Sequence, residues 1–207
     1  MAETLNIDPT KALMVVVDMQ NEFCHPTGSL YVDGVDGMIP RLIKLVTDFR
    51  RTGGPVLYTQ SWRSKDLPQF TVFGRKPILI GGTWGAEIIK ELEPAKGDTV
   101  IRKHTHDCFH RTDLDRFLTT LKSDPWEYSI VVTGVASNVC VYHAVMGFHL
   151  RMFRVFIPTD CIKAGTPEEE RFALSQFSNS AYRFNVKLTR SDLLKIENPA
   201  ISVSENA

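Results

Sequence analysis

Two kinds of apolar pattern alternate along this chain. Ala12-Leu-Met-Val-Val-Val17 and Ser129-Ile-Val-Val-Thr133 are continuous apolar, β-branched runs, as expected of strands covered on both faces. Met38 to Arg51 instead spaces Ile39, Leu42, Ile43, Leu45, Val46 and Phe49 along one helical face, with Gly53-Gly54 to stop it. Pro55–Thr59, Asp98–Arg102, Phe153–Ile157 and Phe184–Leu188 bring the predicted strands to six. Further helices are predicted over Ala86–Leu92, Thr112–Lys122, from Cys140 to Leu150, and from Thr166 to about Ala181. Thr166-Pro-Glu-Glu-Glu supplies a cap, a proline for the first helical position and acids behind it. Residues 1–11 read as a lead-in, Ser191 as the cap of a last short helix, and the chain from Asn198 as a polar tail. Between Gln60 and Gly85 the periodicity dissolves, and a loop of that length in a compact domain is usually functional.

Strand and helix alternate throughout. The expected fold is therefore α/β, a three-layer Rossmann-like domain over residues 1–207 with a six-stranded parallel sheet covered by helices on both faces. In such sheets ligands sit outside the carboxyl ends of the strands, where the strand order reverses. Three chemically pointed residues fall at such ends: Asp18 after the first strand, Lys103 after the third and Cys140 after the fourth.

Composition narrows the function classes. Lysine plus arginine equals aspartate plus glutamate at 24 each, and without a polybasic block nothing favours nucleic acid or a membrane surface. The four cysteines are scattered with no CxxC pair, so neither a zinc ribbon nor a disulfide framework is expected. The first apolar run is too short to span a membrane and lacks the basic lead of a signal peptide, which makes the cytoplasm the expected location. Asp18-Met-Gln follows the first strand where a dinucleotide-binding oxidoreductase needs a glycine-rich turn.

The three strand-end residues supply complementary parts for acyl chemistry. A cysteine attacking an amide or ureido carbonyl needs a base for its proton, and Asp18 can serve. Lys103 would hold that carboxylate and, with the helix N-terminus at Cys140, favour a thiolate. Gly134 and Asn138 let the chain turn and cap the helix. Backbone amides around Val135-Ala136 and at Cys140 are placed to form an oxyanion hole.

The chain resembles the isochorismatase-like cysteine hydrolase family, which includes nicotinamidases, N-carbamoylsarcosine amidohydrolases, ureidoacrylate hydrolases and biuret hydrolases. The resemblance rests on Val-Val-Val-Asp18-Met-Gln-Asn-Glu-Phe, Gly-Thr-Trp-Gly85-Ala-Glu, Val-Ile-Arg-Lys103, Thr-Asp-Leu114 and Gly-Val-Ala-Ser-Asn-Val-Cys140. It implies an Asp18–Lys103–Cys140 triad, an oxyanion hole from the amides of Ala136 and Cys140, and a cis peptide between Val135 and Ala136. It also implies a homodimer or homotetramer, no cofactor, and a small amide or ureido substrate cleaved at a C–N bond through a thioester. Gln20, Phe23, Trp84 and Val135, beside the matched motifs, are candidate substrate-binding residues. An isochorismatase-type or nicotinamidase-type hydrolase and a non-catalytic small-molecule-binding member stand as alternatives. Nicotinamidases place an Asp and two His after the second strand, whereas this chain has Thr59-Gln-Ser-Trp-Arg-Ser-Lys-Asp-Leu-Pro68 there, so no metal is expected. Tyr142 stands where linear ureido and amide hydrolases often carry an acid, which leaves the substrate open.

Lys103-His-Thr-His-Asp-Cys-Phe-His110 also invites a metal reading, but zinc needs ligands converging from fixed positions, and substrate lining or loop packing is preferred for it. Arg63, Arg75 and Lys76 in the long loop read as solvated charge, with a substrate carboxylate as the alternative.

Overall fold

The computed structural model describes residues 3–121 and 123–197. Along the chain run β1 (Leu5–Ile7), β2 (Ala12–Val17), α1 (Asn21–Cys24), α2 (Ile39–Arg51), β3 (Val56–Ser61), α3 (Pro68–Thr71), β4 (Thr99–Lys103) and α4 (Leu114–Leu118). There follow β5 (Ser129–Val135), α5 (Cys140–Leu150), β6 (Arg154–Pro158), β7 (Ile162–Lys163), α6 (Pro167–Phe177), β8 (Val186–Thr189) and β9 (Leu194–Ile196).

The continuous apolar runs become doubly buried strands. Every residue of β2 and β5 is buried, and successive side chains enter different cores because strand side chains alternate faces. Ala12, Met14 and Val16 join Val131 and Val135 in a core closed by Leu42, Leu45, Val46 and Phe49 of α2. Leu13, Val15 and Val17 join Ile130 and Val132 in a second core closed by Val141, Ala144, Val145 and Phe148 of α5, with Leu114, Leu118, Ala173 and Phe177 around them. The sheet thus lies between two helical layers.

Six strands form the main path in the order β4-β3-β2-β5-β6-β8, every neighbouring pair parallel. The two-residue β7 adds a seventh strand against the end of β5, one more than the six expected. From β2 the chain builds outward through β3 and β4, then returns to place β5 on the other side of β2. The strand order therefore reverses between β2 and β5, and a crevice opens at their carboxyl ends.

The remaining differences have local causes. The lead-in carries β1, which pairs with β9 in a separate parallel ribbon, Leu5 opposite Leu194. Ser191–Leu193 is a single 3-10 turn feeding β9 rather than a closing helix. The predicted helix over Ala86–Leu92 is instead two 3-10 turns, Trp84–Ala86 and Lys90–Leu92. Its backbone is spent elsewhere: the Glu87 carbonyl accepts from the Asn21 amide and the Ile89 amide donates to the Met19 carbonyl. β8 starts two residues later than expected because the Asn185 side chain is engaged by the carbonyls of His149 and Phe153. In α6, the Thr166 side chain accepts from the Glu169 amide at 3.2 Å, as its capping sequence predicts, and the helix ends at Phe177, short of Ala181. Lys122 at the end of the helix predicted over Thr112–Lys122, and the tail from Asn198, lie outside the described residues. No helix among the described residues is long and apolar enough to cross a membrane.

One glycine is required at the crevice. Gly134 has φ 105°, and a Cβ there would overlap the Val17 carbonyl. Only glycine lets β5 pass so close to the end of β2.

Candidate active site

Asp18, Lys103 and Cys140 meet at the carboxyl edge of the sheet. Asp18 follows β2 with φ 48°, a left-handed turn that redirects its side chain. Lys103 ends β4, two strands away, opposite Ser61 in register. Two strand spacings are roughly 10 Å, so a long side chain is needed to cross β3, and the lysine does so: its Nζ lies 2.7 Å from Asp18 Oδ2 with both side chains fully buried. Lys103 Nζ also lies 3.4 Å from Cys140 Sγ. The carbonyls of Thr105 and His106 also stand near Nζ, at 3.2 and 3.5 Å.

The strand crossed by Lys103 contributes two residues that sequence reasoning missed. Thr59 Oγ1 donates to Asp18 Oδ1 at 2.6 Å, and Ser61 Oγ donates to Asp18 Oδ2 at 3.1 Å. Thr59 and Ser61 are two apart and share a sheet face with Leu57. Sequence reading ended this strand at Thr59; carrying its period-two pattern two residues further would have found the second hydroxyl. Thr59→Val keeps the shape but leaves one oxygen of a buried carboxylate without its donor, and is expected to cost about 1–3 kcal/mol. Urea unfolding of the variant beside wild type measures it.

Burial and charge set the protonation states. Burial alone would raise the Asp18 carboxyl, but the Lys103 ammonium, with hydrogen bonds from Lys103, Thr59 and Cys140, outweighs it and holds the group below its ordinary value. Burial works against the charge on Lys103, yet the facing Asp18 and Cys140 raise it. For Cys140 burial wins: the thiol is pushed up to about 12, against the pull of Lys103 and with Asp18 adding to the rise. The sequence suggested a standing thiolate; the geometry gives a thiol beside a carboxylate, with the proton acceptor already in place.

The Val135–Ala136 peptide is cis. Neither the Ala136 nor the Cys140 amide donates to a described residue, whereas the Val141 amide is tied to the Ala136 carbonyl. Asn138 does not cap α5: Val139 is the N-cap position, with no side-chain bond, and Asn138 Oδ1 is buried without a partner.

Cys140 lines a cavity of about 310 Å³ together with Phe23, Arg63, His106, Ala136 and Asn138. Gln20, Trp84 and Val135 are not among its lining residues. Gln20 is fully buried and ties β3 to the Trp84 segment, donating to the carbonyls of Ser61 and Ala86 and accepting from the Ser61 amide. Trp84 is half exposed on a separate groove of about 1200 Å³ that holds none of the triad. Val135 is buried in the sheet. The histidine-rich loop divides: His106 Nδ1 is 3.6 Å from Cys140 Sγ, His104 is bonded to the Trp62 carbonyl, and His110 is exposed. Burial and the nearby Lys103 and Arg63 hold His106 down to about 4. Arg63 overturns its reading as solvated charge: it is only 4% exposed.

This donor set does not fit a metal. Among the described residues no three His, Cys, Asp or Glu side chains converge as ligands, and the cavity wall already carries a cation in Arg63.

The isochorismatase domain model matches residues 12–190. The chain is 28% identical over 200 residues to the ureidoacrylate amidohydrolase RutB of Methylobacterium radiotolerans, covering 84% of this chain and 75% of that one. It superposes on N-carbamoylsarcosine amidase from Thermoplasma acidophilum with a TM-score of 0.74 and 30% identity, covering 90% and 99% of the two chains. The pyrazinamidase of Pyrococcus horikoshii in complex with zinc shares the fold, with a TM-score of 0.76 at 24% identity over 87% of this chain and 99% of that one. Fold and matched span agree: the chain belongs to the isochorismatase family and is a hydrolase.

Proposed function

We propose that the protein is a cysteine-dependent amidohydrolase that cleaves a C–N bond of a small amide or ureido compound through a thioester. The observation that carries this reading is that the buried Asp18–Lys103 pair abuts Cys140, which lines a small cavity. Substrate enters with its carbonyl carbon against Sγ. Asp18, ionised at rest, takes the thiol proton as sulfur attacks, so no free thiolate need accumulate. Negative charge then develops on the carbonyl oxygen, beside the uncommitted amides of Ala136 and Cys140. Asp18 returns the proton to the departing nitrogen, and the unpartnered Asn138 Oδ1 is an acceptor for its N–H. Water, deprotonated by Asp18, hydrolyses the thioester. Lys103 stays charged throughout and keeps the carboxylate in place.

The relatives named as acting on ureidoacrylate and N-carbamoylsarcosine support a ureido or amide substrate. Four free, buried cysteines support a reducing compartment, and the cytoplasm is the proposed location. A single domain acting as a homodimer or homotetramer completes the reading.

Ammonia release from nicotinamide, N-carbamoylsarcosine, a ureidoacrylate-type acid and biuret tests it, with Asp18→Asn beside wild type. Turnover of at least one compound, reduced about 100-fold or more in Asp18→Asn, is the expected result. Turnover that survives in Asp18→Asn contradicts the assignment of the base. Silence across the panel, with a Cys140 no more reactive than an exposed thiol, would favour a binding protein.

A further inference from the structure

Arg63 is a buried cation without a counterion. Its Nε is fully buried and bonds to nothing, and no carboxylate of the described residues pairs with the guanidinium. Its side chain makes no hydrogen bond to any described residue, although it lines the cavity that holds Cys140. Its backbone is pinned, the amide donating to the Leu79 carbonyl and the carbonyl accepting from the Gly81 amide. The long loop thus folds back to fix this residue at the cavity wall. A planar cation with five donors, largely buried and unpaired, costs stability unless something anionic completes it.

The other charged groups of the cavity do not supply that anion. Lys103 already neutralises Asp18. The one carboxylate on the lining, Glu169, makes no ion pair with Arg63 and accepts instead from Thr166 Oγ1 at 3.2 Å. Arg75, exposed at the rim, adds a second positive charge. The space admits only a small molecule, and a carboxylate matches the guanidinium fork in shape and charge.

We propose that Arg63 is the anion anchor of this cavity, and that the substrates are small amide or ureido acids whose carboxylate docks on it while Cys140 attacks the carbonyl. This rests on the amidohydrolase reading for the reaction, but the anchor itself is tested without turnover. Iodoacetate and iodoacetamide alkylate the same thiol and differ in charge. The ratio of their rates at Cys140, read by mass spectrometry of its peptide, reports the affinity of the cavity for an anion and cancels any change in thiol reactivity.

Arg63→Met is expected to lower the iodoacetate-to-iodoacetamide ratio about 10-fold or more, with iodoacetamide still reacting. Arg63→Lys, which keeps the charge and loses the fork, should fall between. Arg75→Met removes an equal charge at the exposed rim and should change the ratio less than about 3-fold. A ratio unchanged in Arg63→Met, or changed as much by Arg75→Met, overturns the proposal. So does a wild-type Cys140 that iodoacetamide alkylates and iodoacetate does not, because the cavity would then reject a small anion. The hydrolase reading fails separately: a ratio that collapses as expected in a protein that turns over no amide or ureide leaves the anion site standing and removes the reaction.

Discussion

Cys140→Ala is expected to abolish turnover, by about 1,000-fold or more in kcat, while binding of substrate is kept. The sulfur being removed is the atom that forms the covalent bond in the proposed mechanism. Loss of a nucleophile typically leaves only the rate that positioning and oxyanion donors supply. Because Cys140 is buried and alanine removes only its sulfur atom, the variant should stay folded. Steady-state kinetics on the best compound of the panel, with calorimetry for binding, separates the two effects. A variant that keeps a tenth of wild-type kcat would remove Cys140 from the chemistry.

Lys103→Met carries the second large effect, on stability. Lys103 and Asp18 are both fully buried and 2.7 Å apart. Removing one partner of such a pair leaves an uncompensated buried charge, which costs about 3–5 kcal/mol. The pH dependence follows from the direction of each shift. In wild type the Asp18 carboxyl lies below its unfolded value, so its stabilising contribution is complete above that value, about 3.9, and is lost as the pH falls through the folded one. Without the ammonium, burial is left to raise the carboxyl instead. Its penalty in the variant is then full well above the raised value and fades as the pH falls towards about 4. Urea midpoints of the two proteins should therefore differ most near neutrality and converge in acid. Asp18→Asn in the Lys103→Met background should restore much of the loss at pH 7, since a neutral amide needs no counterion. A gap that does not narrow in acid would show that Lys103 acts by packing alone.

The parts of this protein that were legible in its sequence are those where one chemical demand dominates. A strand buried on both faces must be apolar along its whole length, and β2 and β5 announce themselves in that way. A triad built at strand ends is visible because Asp18, Lys103 and Cys140 each interrupt or follow an apolar run. What was misread depends on contacts made by segments distant in the chain. Arg63 lies in a loop whose composition says solvent, and only its bridge to residues 79–81 buries it. Gln20 sits two residues from Asp18 in sequence, yet its amide is consumed by the backbone of β3 and of the Trp84 segment. Asn138 looks like a helix cap and instead stands unpaired at the cavity. The state of Cys140 was also out of reach, because a helix N-terminus and a lysine argue for the thiolate while burial, invisible in the sequence, argues more strongly for the thiol.

Partitioning with hydroxylamine tests the thioester most directly. Two substrates with the same acyl group and different leaving amines are turned over at a fixed hydroxylamine concentration, and hydroxamate and acid are quantified. A shared acyl-Cys140 intermediate predicts the same hydroxamate-to-acid ratio from both, because the amine has left before partitioning occurs. Ratios that differ with the leaving amine, or turnover that yields acid and no hydroxamate, would contradict a covalent intermediate on Cys140.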